Sequence, residues 1–210
     1  MLLTKYEHAC FTAEENGQIL VVDPGNFTTD FKVTDNIVGI VITHEHADHF
    51  DPNILAAIYD KNPDSVLLSL PSVVEKMPDH KSQAVSAGDK VTIGPFNLEF
   101  SGGTHAQIHP GIPLIDNVGV LINEKLYHPG DSFALPDKPV DVLALPVSAP
   151  WLKISETIDF LTAVKPRLTF PTHDAILSQF GKEIADRLIP SFAQALGTEY
   201  RRLDDSAIEI

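Results

Sequence analysis

The stretch NIVGIVITHEHADHFDPN, residues 36–53, decides how the rest of the chain is read. Its first half, IVGIVI at 37–42, is apolar, rich in β-branched residues and too short for a helix with its own core face. It predicts a strand buried on both sides. Its second half, THEHADH at 43–49, concentrates His44, His46, Asp48 and His49 at the C-terminal end of that strand. If the chain stays extended, side chains at 44, 46 and 48 project in related directions, and a turn at His49 brings its ring to the same point. Three nitrogens and a carboxylate suit zinc and are compatible with manganese or iron. A lone histidine is most often a satisfied core group, whereas four ligand-type residues at this spacing point to a metal. Asp51 and Pro52 then read as the N-cap and first position of a helix over DPNILAAIYD.

The 210 residues and 43% hydrophobic content predict one domain over 1–210. A formal net charge of −14 opposes phosphate backbones and anionic headgroups, so no nucleic acid is expected as a partner. Cys10 is the single cysteine, which rules out an intramolecular disulfide and accords with a reducing compartment. Lys5, Glu7 and His8 interrupt any signal-peptide core, and no run reaches the roughly eighteen apolar residues of a membrane span. The expectation is a cytoplasmic protein without a membrane span, its oligomeric state open.

Away from the motif, residues 4–22 read as a hairpin around Asn16 and Gly17, ending at Asp23, Pro24 and Gly25. Short strands are predicted at SVLLSL (65–70), KVTIG (90–94), FNLEF (96–100), VGVLI (118–122), DVLALPV (141–147) and RLTFP (167–171). A helix is predicted over SETIDFLTAV, 155–164, opened by Ser155 and stopped before Pro166. Strands in two clusters, each closed by helical segments, predict two sheets packed face to face with helices outside. Three more ligand-type residues follow apparent strands: His105 after LEFSGGT, Asp131 after KLYHPG and His173 after RLTFPT.

THEHADH together with Asp23, His105, Asp131 and His173 resembles the metallo-β-lactamase superfamily, whose motif reads T-H-x-H-x-D-H. The resemblance covers nearly the whole chain. Within that superfamily EHACF, HPGDS and PTHDA are similar to the small hydrolase branch that includes ascorbate 6-phosphate lactonase and the phospholipase D acting on N-acylethanolamine phospholipids. The resemblance implies an α/β fold, a four-layer αββα sandwich, with a binuclear site at one edge of the sheets. It implies that His44, His46 and His105 bind one ion, that Asp48, His49 and His173 bind the other, and that Asp131 bridges them. Two divalent ions are expected, zinc first, with manganese or iron as alternatives.

Such a pair would hold a bridging hydroxide as nucleophile, since coordination lowers the pKa of water to about 7. The expected activity is hydrolysis of a small, anionic ester, lactone or phosphodiester. The alternatives are an RNA- or DNA-processing nuclease of the same superfamily and a non-catalytic metal-binding sensor domain. Asp48 is a candidate for orienting the hydroxide, His109 for replacing His105 as ligand or protonating the leaving group, and His128 for reaching the cleft. His8 matches the branch's N-terminal histidine and is a second candidate for the cleft. Asp23 is expected to accept hydrogen bonds from the motif backbone or a ligand ring, Trp151 to line the pocket, and Cys10 to fill the core.

Overall fold

The structure is a computed structural model that describes residues 1–203 and 207–210. Strand β1 (Leu2–Lys5) pairs antiparallel with β2 (Phe11–Glu15), which turns through Asn16 and Gly17, at φ 52° and 73°, into β3 (Gln18–Val22). Two consecutive positive φ values form a hairpin turn whose twist matches its strands, and Asn-Gly tolerates it well. The chain then crosses over repeatedly: β3, β4 (Ile37–Ile42), β5 (Val66–Ser69) and β6 (Ser82–Ala84) lie parallel, linked partly through α1 (Pro52–Lys61) and α2 (Pro71–Val74). The Asp51 side chain accepts from the Asn53 amide and Pro52 follows, the expected start for α1.

A second sheet carries β7 (Lys90–Ile93), β8 (Phe96–Gly102), β9 (Val118–Ile122), β10 (Leu126–His128), β11 (Val142–Pro146), β12 (Leu168–Thr172) and β13 (Glu199–Tyr200). The helices α3 (Ile154–Val164) and α4 (Gln179–Ala195) belong to this half, and β14 (Ala207–Glu209) returns to the free edge of β1. Side-chain alternation explains the layering. In β4, Val41 enters the seam between the sheets while Ile40 and Ile42 pack with Leu55 and Ile58 of α1. In β11, Val142 and Ala144 enter the same central seam while Leu143 and Leu145 pack with Phe160 and Leu161 of α3 and Ile189 of α4. Strands buried on both faces require helices outside, which gives the αββα sandwich. Among the described residues no helix is long and apolar enough to cross a membrane.

The predicted strands are all present, but two helical details differ. α3 is capped at Lys153 and not at Ser155, because the Glu156 carboxylate accepts from the Lys153 amide at 3.1 Å and starts the helix earlier. Its end is as expected: Lys165 takes φ 51° directly ahead of Pro166. The 17-residue α4 was not foreseen, since Gly181 and the internal Pro190 read as breakers and many of its apolar residues are exposed.

Both sheets deliver functional loops to one edge. The carboxyl ends of β3 and β4 lie there with those of β10, β11 and β12, the usual position for a site in a parallel sheet. The Val118 amide donates to the Thr43 carbonyl at 3.0 Å, tying the start of β9 to the end of β4 across the two sheets. Gly25 packs so tightly here that a Cβ would lie 1.9 Å from the Asp48 carbonyl oxygen and 2.4 Å from the His49 amide nitrogen. Gly25→Ala is therefore expected to cost at least about 1–3 kcal/mol, lowering the midpoint of thermal denaturation by roughly 2–10 °C. An unchanged melt would show that this close approach is not a constraint.

Candidate metal centre

The loop after β4 turns earlier than its sequence implied. The His49 and Phe50 amides both donate to the His46 carbonyl, at 3.0 and 2.9 Å, so the turn begins at His46 and not at His49. The turn divides the motif between two sets of side chains. His44 and His46 join His105 and Asp131, and Asp48 and His49 join His8 and His173. Within each set the ligand atoms lie within 4.8 Å of one another. All seven expected metal ligands therefore converge, and Asp131 faces both sets: its oxygens lie 3.3 Å from His105 Nε2, 3.1 Å from His49 Nε2 and 3.0 Å from His173 Nε2.

The outer nitrogens explain the direction in which the rings point. His105 Nδ1 donates to the Ala106 carbonyl at 2.5 Å, His173 Nδ1 to the Ser148 carbonyl at 2.6 Å, and His49 Nδ1 to Asp23 Oδ2 at 2.7 Å. A carbonyl or carboxylate oxygen can only accept, so each Nδ1 carries hydrogen and Nε2 is the atom presented to the centre. The Nε2 atoms of His49, His105 and His173 and the Oδ1 atom of Asp131 are buried without a hydrogen-bond partner. Ligand-type atoms gathered this closely, with several left unpartnered, are an arrangement that bound cations would satisfy. The residues thus fit two metal ions by their donor chemistry.

Electrostatics supports the same conclusion. Burial opposes ionisation of Asp131, yet His49, with His105 and His173, holds its carboxyl well below the usual carboxylate range. Asp23 and Asp48 are likewise held low against the effect of burial, Asp23 chiefly by His49 and His128 and Asp48 by His173 and His8. Burial would lower the pKa of His49, but Asp131 and Asp23 on its two sides raise it well above its ordinary value. Burial is likewise outweighed at His173, which Asp131 and Asp48 push up to about 9. Three ionised carboxylates gathered in a low-dielectric interior create a field that selects for cations.

Asp23 organises the outer layer. Buried at φ 46°, it accepts from the Thr43 amide and hydroxyl, both at 2.8 Å, and from His49 and His128. His8, also buried, takes φ 57° and places Nε2 3.0 Å from Asp48 Oδ2, while its carbonyl accepts from the amide of His173, itself at φ 60°. Left-handed backbone is costly at a non-glycine residue, and three of the residues that adopt it, His8, Asp23 and His173, meet here. Asn117 and Trp151 complete the support of Asp131. Asn117 Oδ1 accepts from the Asp131 amide at 3.0 Å, and the Trp151 indole donates to Asp131 Oδ2 at 2.8 Å. Trp151 therefore touches a carboxylate expected to bind metal, a closer role than lining the pocket.

The family described as "Beta-lactamase superfamily domain" matches residues 2–173. The chain belongs to this superfamily. It is 38% identical over 183 residues to Protein Rv0786c of Mycobacterium tuberculosis, covering 85% of this chain and 86% of that one. It is 25% identical to the UPF0173 metal-dependent hydrolase of Staphylococcus carnosus, with 82% and 85% covered. The solved metallo hydrolase Igni18 of Ignicoccus hospitalis shares the fold at a TM-score of 0.74 and 18% identity, covering 100% of this chain and 98% of that one.

Two expected roles for this β-lactamase superfamily chain need correction. His109 is exposed, and its Nδ1 accepts from the Gly111 amide at 3.0 Å in a surface turn. It does not replace His105, because the Ala106 amide binds the Asp131 carbonyl at 2.8 Å and anchors the chain with His105, not His109, at the centre. His128 is buried but does not reach the cleft. Its Nε2 is taken by Asp23 at 2.8 Å and its ring packs edge-on against Phe11, so it supports the ligand loop from behind.

Three outcomes follow from this geometry. Asp23→Asn should weaken zinc affinity by roughly 10–100-fold in competition with a chelator. His109→Ala should retain the metal affinity of the wild type. The carboxylates beside His49 and His173 favour protons on both rings, so metal binding is expected to release protons and affinity should fall as pH is lowered. Calorimetry in buffers of different ionisation enthalpy measures that release, and a value of zero would contradict the charge assignment.

Proposed function

We propose that residues 1–210 form one metallo-β-lactamase-like domain that acts as a metal-dependent hydrolase of a small ester, lactone or phosphodiester. The observation that carries this reading is the pair of inward-facing ligand sets, which share no residue and meet at Asp131. In it His44, His46 and His105 hold one divalent ion, Asp48, His49 and His173 hold the second, and Asp131 serves both. Zinc suits the nitrogen-rich set best, with manganese or iron as alternatives. When bound, such a pair supplies hydroxide at neutral pH and polarises the attacked carbonyl or phosphoryl oxygen.

The chain's own residues then do the positioning. Asp48 has 21% of its side chain exposed, the most open of the three carboxylates, so it meets the reacting molecule. Held ionised by His173 and His8, it orients a protic group as an acceptor and is a poor base. Trp151 and Asn117 fix Asp131 so that its two oxygens stay directed at the two sets. Apolar side chains flank the centre: Phe27 packs on His8 with ring centroids 5.1 Å apart, while Ile112 and Leu114 rise beside His46 and His105. A substrate with a polar reacting group and an apolar body fits this rim. A nucleic acid does not, given the net charge of −14. The buried Cys10 and the absence of a membrane-crossing helix among the described residues accord with a cytoplasmic location.

The test is turnover by the metal-loaded protein on a panel of lactones, phosphodiesters and short RNAs, beside Asp131→Ala. The expected result is hydrolysis of a lactone or small diester that is lost on chelation, restored by metal and undetectable in Asp131→Ala. Turnover that survives exhaustive chelation or the loss of Asp131 would refute the proposal. Full metal occupancy with no turnover on any compound would make this a binding domain instead.

A further inference from the structure

α4 carries two apolar faces where one would suffice. Ala185, Ile189 and Ala193 are buried against the second sheet and α3. One position before each, on the neighbouring flank, Ile184, Leu188 and Phe192 are 50, 38 and 48% exposed, and Phe180 continues the series one turn earlier at 78%. Residues spaced by four form a single ridge inclined to the helix axis, the kind that packs into the groove of another helix at a crossing angle of about −50°. Over twelve residues the ridge is about 18 Å long. A monomeric protein rarely leaves so many large side chains aligned in solvent.

The order of side chains along the ridge identifies the occupant. Phenylalanine, isoleucine, leucine, phenylalanine keeps the same aromatic–aliphatic–aliphatic–aromatic pattern when reversed. We propose that α4 is the contact through which two copies of this chain pair antiparallel about a two-fold axis near residue 186. In that pairing Phe180 meets Phe192 of the second copy and Ile184 meets its Leu188, each contact occurring twice, as an isologous interface requires.

Charge supports the same arrangement. Glu183 and Arg187 each precede a ridge residue by one, so they occupy the same flank, and both are exposed. Among the described residues neither takes part in an ion pair, although Glu183 accepts from Gln179 at 3.2 Å. Antiparallel pairing sets Glu183 of each copy against Arg187 of the other. Lys182 and Asp186 pair off the ridge with Asp174 and Arg202, so Glu183 and Arg187 leave the contact locally neutral although the whole chain is at −14. A membrane surface is a poorer occupant, since helices that lie in the interface are rich in Lys and Arg on their polar face. One helix pair is a small interface, for which dissociation near 1–100 μM is expected.

The experiment is sedimentation velocity of the intact protein between about 1 and 300 μM, a range chosen to bracket that affinity. The expected result is a concentration-dependent dimer that Leu188→Glu reduces to monomer with an unchanged melting curve. Arg187→Glu should weaken the dimer at least tenfold, and Glu183→Arg combined with it should restore association by exchanging the charges. The charge-swap pair decides the matter if Leu188→Glu is poorly folded. Wild type that stays monomeric at the highest concentration, or a dimer indifferent to both sets of changes, would overturn the proposal. So would a monomer that instead binds anionic vesicles through this ridge.

Discussion

The Asp23 carboxylate lies fully buried at the end of β3 and accepts from the Thr43 amide and hydroxyl and from the rings of His49 and His128. An unpaired charge in that position would cost several kcal/mol, so the donors are as constrained as the acceptor. Thr43 opens the ligand loop, His49 closes it, and His128 ends β10 of the opposite sheet. One ionised group thus ties the loop to both sheets. The Thr43 carbonyl and the Val118 amide add a second tie, and Gly25 allows the Asp23–Asn26 segment to lie directly on the Asp48–His49 backbone. The rings that face the centre are held by contacts that do not themselves involve metal.

This arrangement resolves an apparent conflict between global and local charge. The chain is strongly acidic, and its centre gathers three carboxylates that neighbouring imidazoles keep ionised. The same carboxylates favour protons on His49 and His173, which would balance part of that charge without metal. Divalent ions would replace those protons and turn a negative interior into one able to receive an electron-rich reacting group. The apolar side chains at the rim, Phe27 on one side and Ile112 and Leu114 on the other, would exclude water around that group without adding charge.

Much of this was legible in the sequence because it rests on local patterns. IVGIVI reads as a buried strand from its length and β-branched content, Asn16-Gly17 as a tight turn, and THEHADH concentrates ligand-type residues where a strand ends. His105, Asp131 and His173 were readable because each follows a strand and a turn. What escaped depends on the third dimension. Nothing near Asn117 or Trp151 in the chain says that both will hold Asp131, and a left-handed φ at His8, Asp23 and His173 leaves no mark in composition. His109 and His128 were plausible by proximity alone, and a surface turn and a buried hydrogen bond removed them. α4 was hidden because its pattern serves two faces at once and a proline interrupts it.

The whole reading of the site depends on two sets of inward-facing ligand atoms holding two metal ions. Elemental analysis of protein purified without chelator tests it most directly. The expected result is about two equivalents of zinc, manganese or iron per chain, matching the two ligand sets. Metal near zero, with no uptake when zinc is supplied, would mean that these side chains do not converge on cations, and the hydrolytic reading would fall with them.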